Sequence, residues 1–275
     1  MNAGLILCAD DYAQNADISA GILALAKQGR INAVSCLATM PAWPELQQEL
    51  TADAYIGLHF NLTLGEPLSQ AWRGRYGERF GSLADLLKIC YSGRMDRQVI
   101  EAEIHAQLDA FSTARGCLPA FIDGHQHVHQ LPVIRDAWLS WYAEHKPALF
   151  FRNTSNGVVD CLSTGGFPKR QAIALLGGMT FRRRLLQQSV PANTRFAGIY
   201  DFSQAAQYRD YFKGFLKITG NTGLIMCHPG LASQDETDPL SPYRCQELNY
   251  LSSDAFLQDL AEAGCRLLVV DKNPQ

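Results

Sequence analysis

Three of the chain's seven histidines fall within His125-Gln126-His127-Val128-His129, directly after the apolar run Leu118-Pro119-Ala120-Phe121-Ile122. Neutral imidazole is the commonest metal ligand. In an extended chain the i, i+2, i+4 spacing puts all three rings on one side, so a run leaving a buried strand aims one or two of them at a shared ion. A solvated loop, or a single histidine pinned by hydrogen bonds, is the plainer account of any one of them. It weakens here because three more polar groups follow apolar runs: Asp10-Asp11 after Leu5-Ile6-Leu7-Cys8-Ala9, His59 after Tyr55-Ile56-Gly57-Leu58, and His228 after Leu224-Ile225-Met226-Cys227. Two histidines and a carboxylate, with positions left for water, suit metal-assisted hydrolysis or non-haem iron chemistry. Adjacent aspartates cannot point the same way along an extended chain, which divides the work: one binds the ion and the other acts as a base on water. An Asx turn capping the next helix is the competing reading of that pair. His228 is then a further ligand or the general acid for a leaving group, against a strand-end histidine bonded to backbone.

The elements that must position these groups alternate along the whole chain. Short, largely apolar runs at 5–9, 31–37, 55–58, 118–122, 148–151, 196–200, 224–227 and 266–270 read as buried strands. Helical spacing follows most of them. Ile18, Ile22, Leu25 and Ala26 lie between a cap at Asn15 or Asp17 and Gly29, Ser82 with Asp85 opens a helix over 83–91, and 96–115 has the length of a full amphipathic helix. Further helices are expected over 45–50, 132–146, 181–188, 204–219 and 253–263. Residues 65–81, rich in Gly, Arg and aromatics, read as a long loop covering a site. Glycine pairs at 165–166 and 177–178 leave 153–191 without a clear pattern. Strand–helix alternation without a linker or repeat predicts parallel βα units in one domain over residues 1–275, and about eight strands favour a closed or partly closed (β/α) barrel over an open doubly wound sheet. In such a barrel the C-terminal strand ends share one rim, which brings Asp10-Asp11, His59, His125–His129 and His228 to one place.

Composition sets limits on this reading. A chain of 275 residues that is 47% hydrophobic can bury a sizeable core. A formal charge of −3 gives no field to attract nucleic acid, and Arg182-Arg183-Arg184 reads as a solvated helix face. No apolar run approaches the roughly 20 residues that span a bilayer, and the start lacks the basic and apolar regions of a signal peptide, so a cytoplasmic protein is expected. Eight cysteines at 8, 36, 90, 117, 161, 227, 245 and 265 show no C-x-x-C, which predicts reduced, mostly buried thiols.

Ala9-Asp10-Asp11-Tyr12, Gly57-Leu58-His59-Phe60-Asn61-Leu62, Asp123-Gly124-His125-Gln126-His127-Val128-His129 and Cys227-His228-Pro229-Gly230 together resemble, in order and spacing, the YdjC-like carbohydrate deacetylases, also called the ChbG/HpnK family. The resemblance implies a distorted (β/α) barrel related to the polysaccharide deacetylases. It also implies one divalent ion held by Asp11, His59 and His125, with Asp10 as the base and His228 as the acid. His129 or His127 remains an alternative to His125. The ion is magnesium by resemblance, while an imidazole-rich set suits zinc as well. The chain departs from the family pattern at Tyr12-Ala13, where Phe-Gly is usual, and at Gly124, where Ser is frequent. The first departure could alter the substrate pocket, the second a hydrogen bond near a ligand. The reading is hydrolysis of an N-acetyl group on a sugar or glycolipid, with Arg152 orienting the substrate or Asp10, and Trp72 and Tyr76 stacking on a sugar ring or packing their loop. The alternatives are a metal phosphoesterase and a non-catalytic sugar-binding regulator, and homo-oligomerisation stays open.

Overall fold

The computed structural model describes residues 4–51, 53–156, 172–233 and 238–269. The apolar runs form seven parallel strands: β1 (Ile6–Tyr12), β2 (Ala33–Cys36), β3 (Tyr55–Phe60), β4 (Phe121–Gly124), β5 (Phe150–Phe151), β6 (Phe196–Ala197) and β7 (Leu224–Cys227). They pair in the order β5-β4-β3-β2-β1-β7-β6. The sheet curls until one segment ties its two edges. Phe151 donates its N–H to Pro191 O at 2.9 Å and bridges Ala192, while Phe196 and Ala197, a few residues on, pair with β7. The result is the distorted (β/α) barrel expected from the alternation. The eighth expected strand is reduced to one bridge, Leu5 to Leu267, and its last residue, Val270, lies outside the described residues, as do Gly165-Gly166 and Cys161.

Alternation along each strand separates two cores. Outward positions pack against the helices around Leu7, Ala9, Val34, Ile56, Leu58, Ile122 and Ile225. Inward positions form a smaller cluster of Cys8, Ala33, Phe121, Phe196, Leu224 and Met226 at the barrel axis. Gly57 belongs to this inner layer, since a Cβ there would meet the Phe121 ring at 2.4 Å. Two residues beyond Cys8, Ala33, Gly57, Phe121 and Phe150, the same inward positions carry Asp10, Ser35, His59, Asp123 and Arg152. All five are at most 2% exposed. The barrel is therefore filled with hydrocarbon at one end and with hydrogen-bonding groups at the other.

Most helices take their predicted places. They are α1 (Ala16–Lys27), α2 (Trp43–Leu46), α3 (Gln70–Tyr76), α4 (Leu83–Tyr91), α5 (Arg97–Arg115), α6 (Ile134–His145), α7 (Met179–Gln187), α8 (Tyr208–Thr219), α9 (Ser241–Ser252) and α10 (Asp254–Glu262). Asn15 caps α1 by accepting from Ile18 N–H at 2.9 Å, and Ser82 accepts from Asp85 N–H at the start of α4. The sequence reading missed α3 and α9. The supposed long loop contains α3, capped by Ser69, and Trp72 packs there against Tyr76 and Phe80 with centroids about 5 Å apart. Trp72 is 3% exposed, so of its two expected roles it fills the packing one. The arginine run lies on α7, where Arg184 pairs with Asp136 at 2.9 Å. The cysteines among the described residues are free thiols, most of them buried.

Candidate active site

The two aspartates of β1 do diverge, and the backbone shows how. The register of β1 against β2 shifts between Ala9 and Tyr12, and Asp11 sits at φ 70°, in the left-handed region. Asp10 keeps the inward position and receives both terminal nitrogens of Arg152 at 2.6 Å. Asp11 turns instead towards two rings. Its Oδ1 accepts from His125 Nδ1 at 2.9 Å and faces His59 Nε2 at 3.4 Å. One donor atom from each of Asp11, His59 and His125 lies within 4.8 Å of the others. The Asx-turn account of the pair does not describe these side chains.

His59 is held from behind. Its Nδ1 donates to Asp123 Oδ1 at 2.7 Å, and Ser35 Oγ lies 2.9 Å from the same nitrogen and donates to the same carboxylate oxygen at 2.5 Å. This fixes the tautomer and leaves Nε2 directed at Asp11, the carboxylate–histidine arrangement that orients metal-ligating imidazoles. Asp123 in turn takes Arg152 Nη2 at 2.5 Å, so one fully buried guanidinium spans Asp10 and Asp123.

The histidine run does not continue as a strand. β4 stops at Gly124, and His125–Gln130 form a tight helical turn with Gln126 and His127 at φ 53° and 61°. The three rings therefore part company, correcting the expectation that they share a side. His125 alone reaches the cluster. His129 donates from Nε2 to Arg152 O at 2.9 Å and packs edge-on against Phe181, and His127 meets Phe196. Burial lowers the pKa of both, to about 4 for His129, so they are neutral core residues at neutral pH. A Cβ at Gly124 would stand 2.9 Å from His129 N, so glycine here is what the turn requires. The other departure, Tyr12, is fully buried with its hydroxyl on Leu46 O at 2.8 Å, which makes it a packing residue and not a pocket wall.

His228 follows β7, beside β1. Its backbone N–H donates to Glu247 Oε2 at 2.6 Å, and its ring lies edge-on to Phe202 with Nδ1 unpartnered among the described residues. Burial lowers its pKa to about 4 against the raising fields of Asp11 and Asp10. Sequence reasoning gave no role to Asp123, Ser35, Asp238, Arg244 or Glu247. Asp123 and Ser35 were detectable as polar residues at inward positions of apolar strands. Arg244 Nη2 donates to Asp11 Oδ2 at 2.8 Å, and its Nε donates to Asp238 at 2.6 Å.

Charge and donor type together test whether an ion fits. Among the described residues Asp10, Asp11, Asp123 and Asp238, all buried, face only two buried guanidiniums, Arg152 and Arg244. With neutral histidines two negative charges are left over, which is what one divalent cation neutralises. Without an ion, His59 absorbs part of that excess. Burial lowers its pKa, but Asp123 and Asp11 raise it to about 10. Asp11 is ionised: burial opposes this, and Arg244 and His125 outweigh burial, keeping its pKa well below the usual range. One carboxylate and two imidazoles, of which His59 is oriented from behind, fit a divalent transition ion. A cleft of about 1000 Å³ lies elsewhere, on the flank between the loops after β2 and β3 and α5, and no residue of the cluster lines it.

With this geometry in hand, comparison with known proteins places the chain. A carbohydrate deacetylase of Geobacillus stearothermophilus is 32% identical over 277 residues, covering 96% of this chain and 95% of that one. A chitooligosaccharide deacetylase of Klebsiella pneumoniae strain 342 is 27% identical over 278 residues, covering 97% and 98%. A crystal structure from Enterococcus faecalis V583, of a protein named for a suggested role in cellobiose-phosphate cleavage, superposes with a TM-score of 0.74 at 20% identity and covers 98% of each chain, a likeness of fold. The family model described as YdjC-like protein matches residues 4–262, a span that holds every group of the cluster, and the chain belongs to that family.

Proposed function

We propose that this chain is a carbohydrate deacetylase that removes an acetyl group from an N-acetylated sugar or glycolipid with the help of one divalent ion held by Asp11, His59 and His125. The convergence of those three donor atoms within 4.8 Å carries the reading, and the names of the full-length relatives supply the substrate class. The Asp-His-His set favours zinc or a similar ion over magnesium, because imidazole is a borderline-soft ligand. When bound, the ion supplies Lewis-acid polarisation of an amide carbonyl and acidifies a water. Asp10 takes the proton from the attacking water. Its two oxygens are aligned by the Arg152 fork, which also keeps the neighbouring Asp123 in place behind His59. The proton that Asp10 has taken from the water passes by way of His228, neutral at neutral pH, to the leaving nitrogen. Water adds to the acetyl carbon, the C–N bond breaks, and acetate and an amino sugar leave. The chain acts in this reading as one cytoplasmic domain over residues 1–275.

Metal analysis of the purified protein, paired with acetate release from N-acetylated sugars, tests this. We expect about one equivalent of a divalent ion in the wild type and loss of both ion and turnover in Asp11→Ala and His59→Ala. Full metal retention in both variants, or phosphate release from phosphate esters without acetate release, rejects the proposal.

A further inference from the structure

Arg244 enters the site from α9, far from the strands in sequence, and its surroundings are built to admit it. It is 2% exposed. Its aliphatic stem passes Gly230, where a Cβ would stand 3.1 Å from Arg244 Cδ, and Gly230 in turn rests on Gly21 of α1, where a Cβ would stand 2.7 Å from the Gly230 backbone. Two glycines thus leave a lane for one side chain. At the end of the lane the guanidinium is fully constrained. Nε and Nη2 grip Asp238 at 2.6 and 3.1 Å, which leaves the second hydrogen of Nη2 on the outer edge, where it meets Asp11 Oδ2 at 2.8 Å. With Oδ2 taken, Oδ1 is the oxygen turned to His125 and His59. Nη1 is buried with no partner among the described residues.

We infer that Arg244, locked by Asp238, is the positioning residue that orients the Asp11 carboxylate for the ion. The inference rests on the metal-dependent reading above. Charge and orientation predict opposite signs, which makes it decidable. Removing a cation beside the site strengthens ion binding if Arg244 matters only through its charge, and weakens it if Arg244 holds Asp11 in place.

The test is zinc affinity by calorimetry with a competing chelator, alongside thermal unfolding of the zinc-free proteins. Arg244→Gln is expected to weaken zinc binding by roughly 10- to 100-fold, the range seen when groups behind a metal ligand are removed. Arg244→Lys is expected to restore little of it, because an ammonium cannot grip two carboxylates in fixed directions. Gly230→Ala changes no charge and only crowds the lane, and it is expected to weaken zinc severalfold with a small change in zinc-free melting temperature. Unchanged or tighter zinc binding in Arg244→Gln overturns the inference. Should that variant not fold, unchanged affinity in Gly230→Ala overturns it equally. If Asp11→Ala and His59→Ala bind zinc like the wild type, the ligand assignment fails instead.

Discussion

A single residue can be bent to serve a site, and β1 shows what that costs. Asp11 and Ala13 both sit near φ 70°, a region that disfavours any residue with a Cβ. At Asp11 the bend turns a carboxylate out of the strand face and onto two imidazoles. At Ala13 the methyl touches no site group, and the strain there is offset by its burial in the core and by a hydrogen bond from its N–H to Ser19 Oγ at 3.1 Å. Ala13→Gly should therefore leave stability within about 0.5 kcal/mol of the wild type, as measured by urea unfolding, the relief of strain being offset by the lost methyl burial and a more flexible unfolded chain. The places of Asp10, Asp11, His59 and His228 at strand ends were legible because each follows an apolar run. The bend itself was not, since nothing in Ala-Asp-Asp-Tyr announces a left-handed aspartate. The same limit hid the fate of His127 and His129, which a turn of two left-handed residues sends into the core.

Among the elements, α9 was the least legible and holds the most. Arg244, Glu247, Leu248 and Leu251 are all buried along it, so its inward face carries two charges and shows no apolar stripe to read. Glu247 Oε1 accepts from Tyr200 Oη at 2.7 Å and Oε2 from His228 N–H at 2.6 Å, so the helix grips the segment that presents His228. Burial raises the Glu247 pKa to about 7, although His228 N–H, Tyr200, Arg244 and Tyr208 each lower it. The folded state then holds a proton that the unfolded chain loses near pH 4.5. The contribution of Glu247 to stability is thus fully present below about pH 4.5 and is lost as pH rises to about 7, an amount on the order of 3 kcal/mol. Glu247→Gln, measured against the wild type by urea unfolding in the presence of a chelator, should flatten that decline. Equal slopes between pH 5 and 7.5 would count against this account. By contrast β1, β2, β3, β4 and β7 were legible, because a strand buried on both faces leaves an unbroken apolar run.

At the scale of the whole molecule, closure depends on side chains where strands are too short to supply it. β5 and β6 are two residues each, and the edge between them is completed by Asn153 and Asn193. Asn153 N–H donates to Asn193 Oδ1 at 2.8 Å, and Asn193 Nδ2 donates to Asn153 O at 2.8 Å and to Arg195 O at 2.9 Å. Asn193→Ala removes the side-chain partners of the buried Asn153 N–H and Asn153 O and should destabilise the protein by roughly 2–4 kcal/mol, read as a lower urea midpoint. The barrel class was legible from alternation, whereas this seam was not, because paired asparagines look like loop residues in a sequence. The order of the strands has a further consequence. β1 lies between β2, which follows it at once, and β7, which comes near the end of the chain, and the Asp11–Arg244 contact joins residues 233 apart. A chain emerging from the ribosome therefore keeps one edge of its central strand open until translation is nearly complete. The protein is exposed to mispairing for most of its synthesis, and the Asp11–Arg244 contact forms only with the last helices.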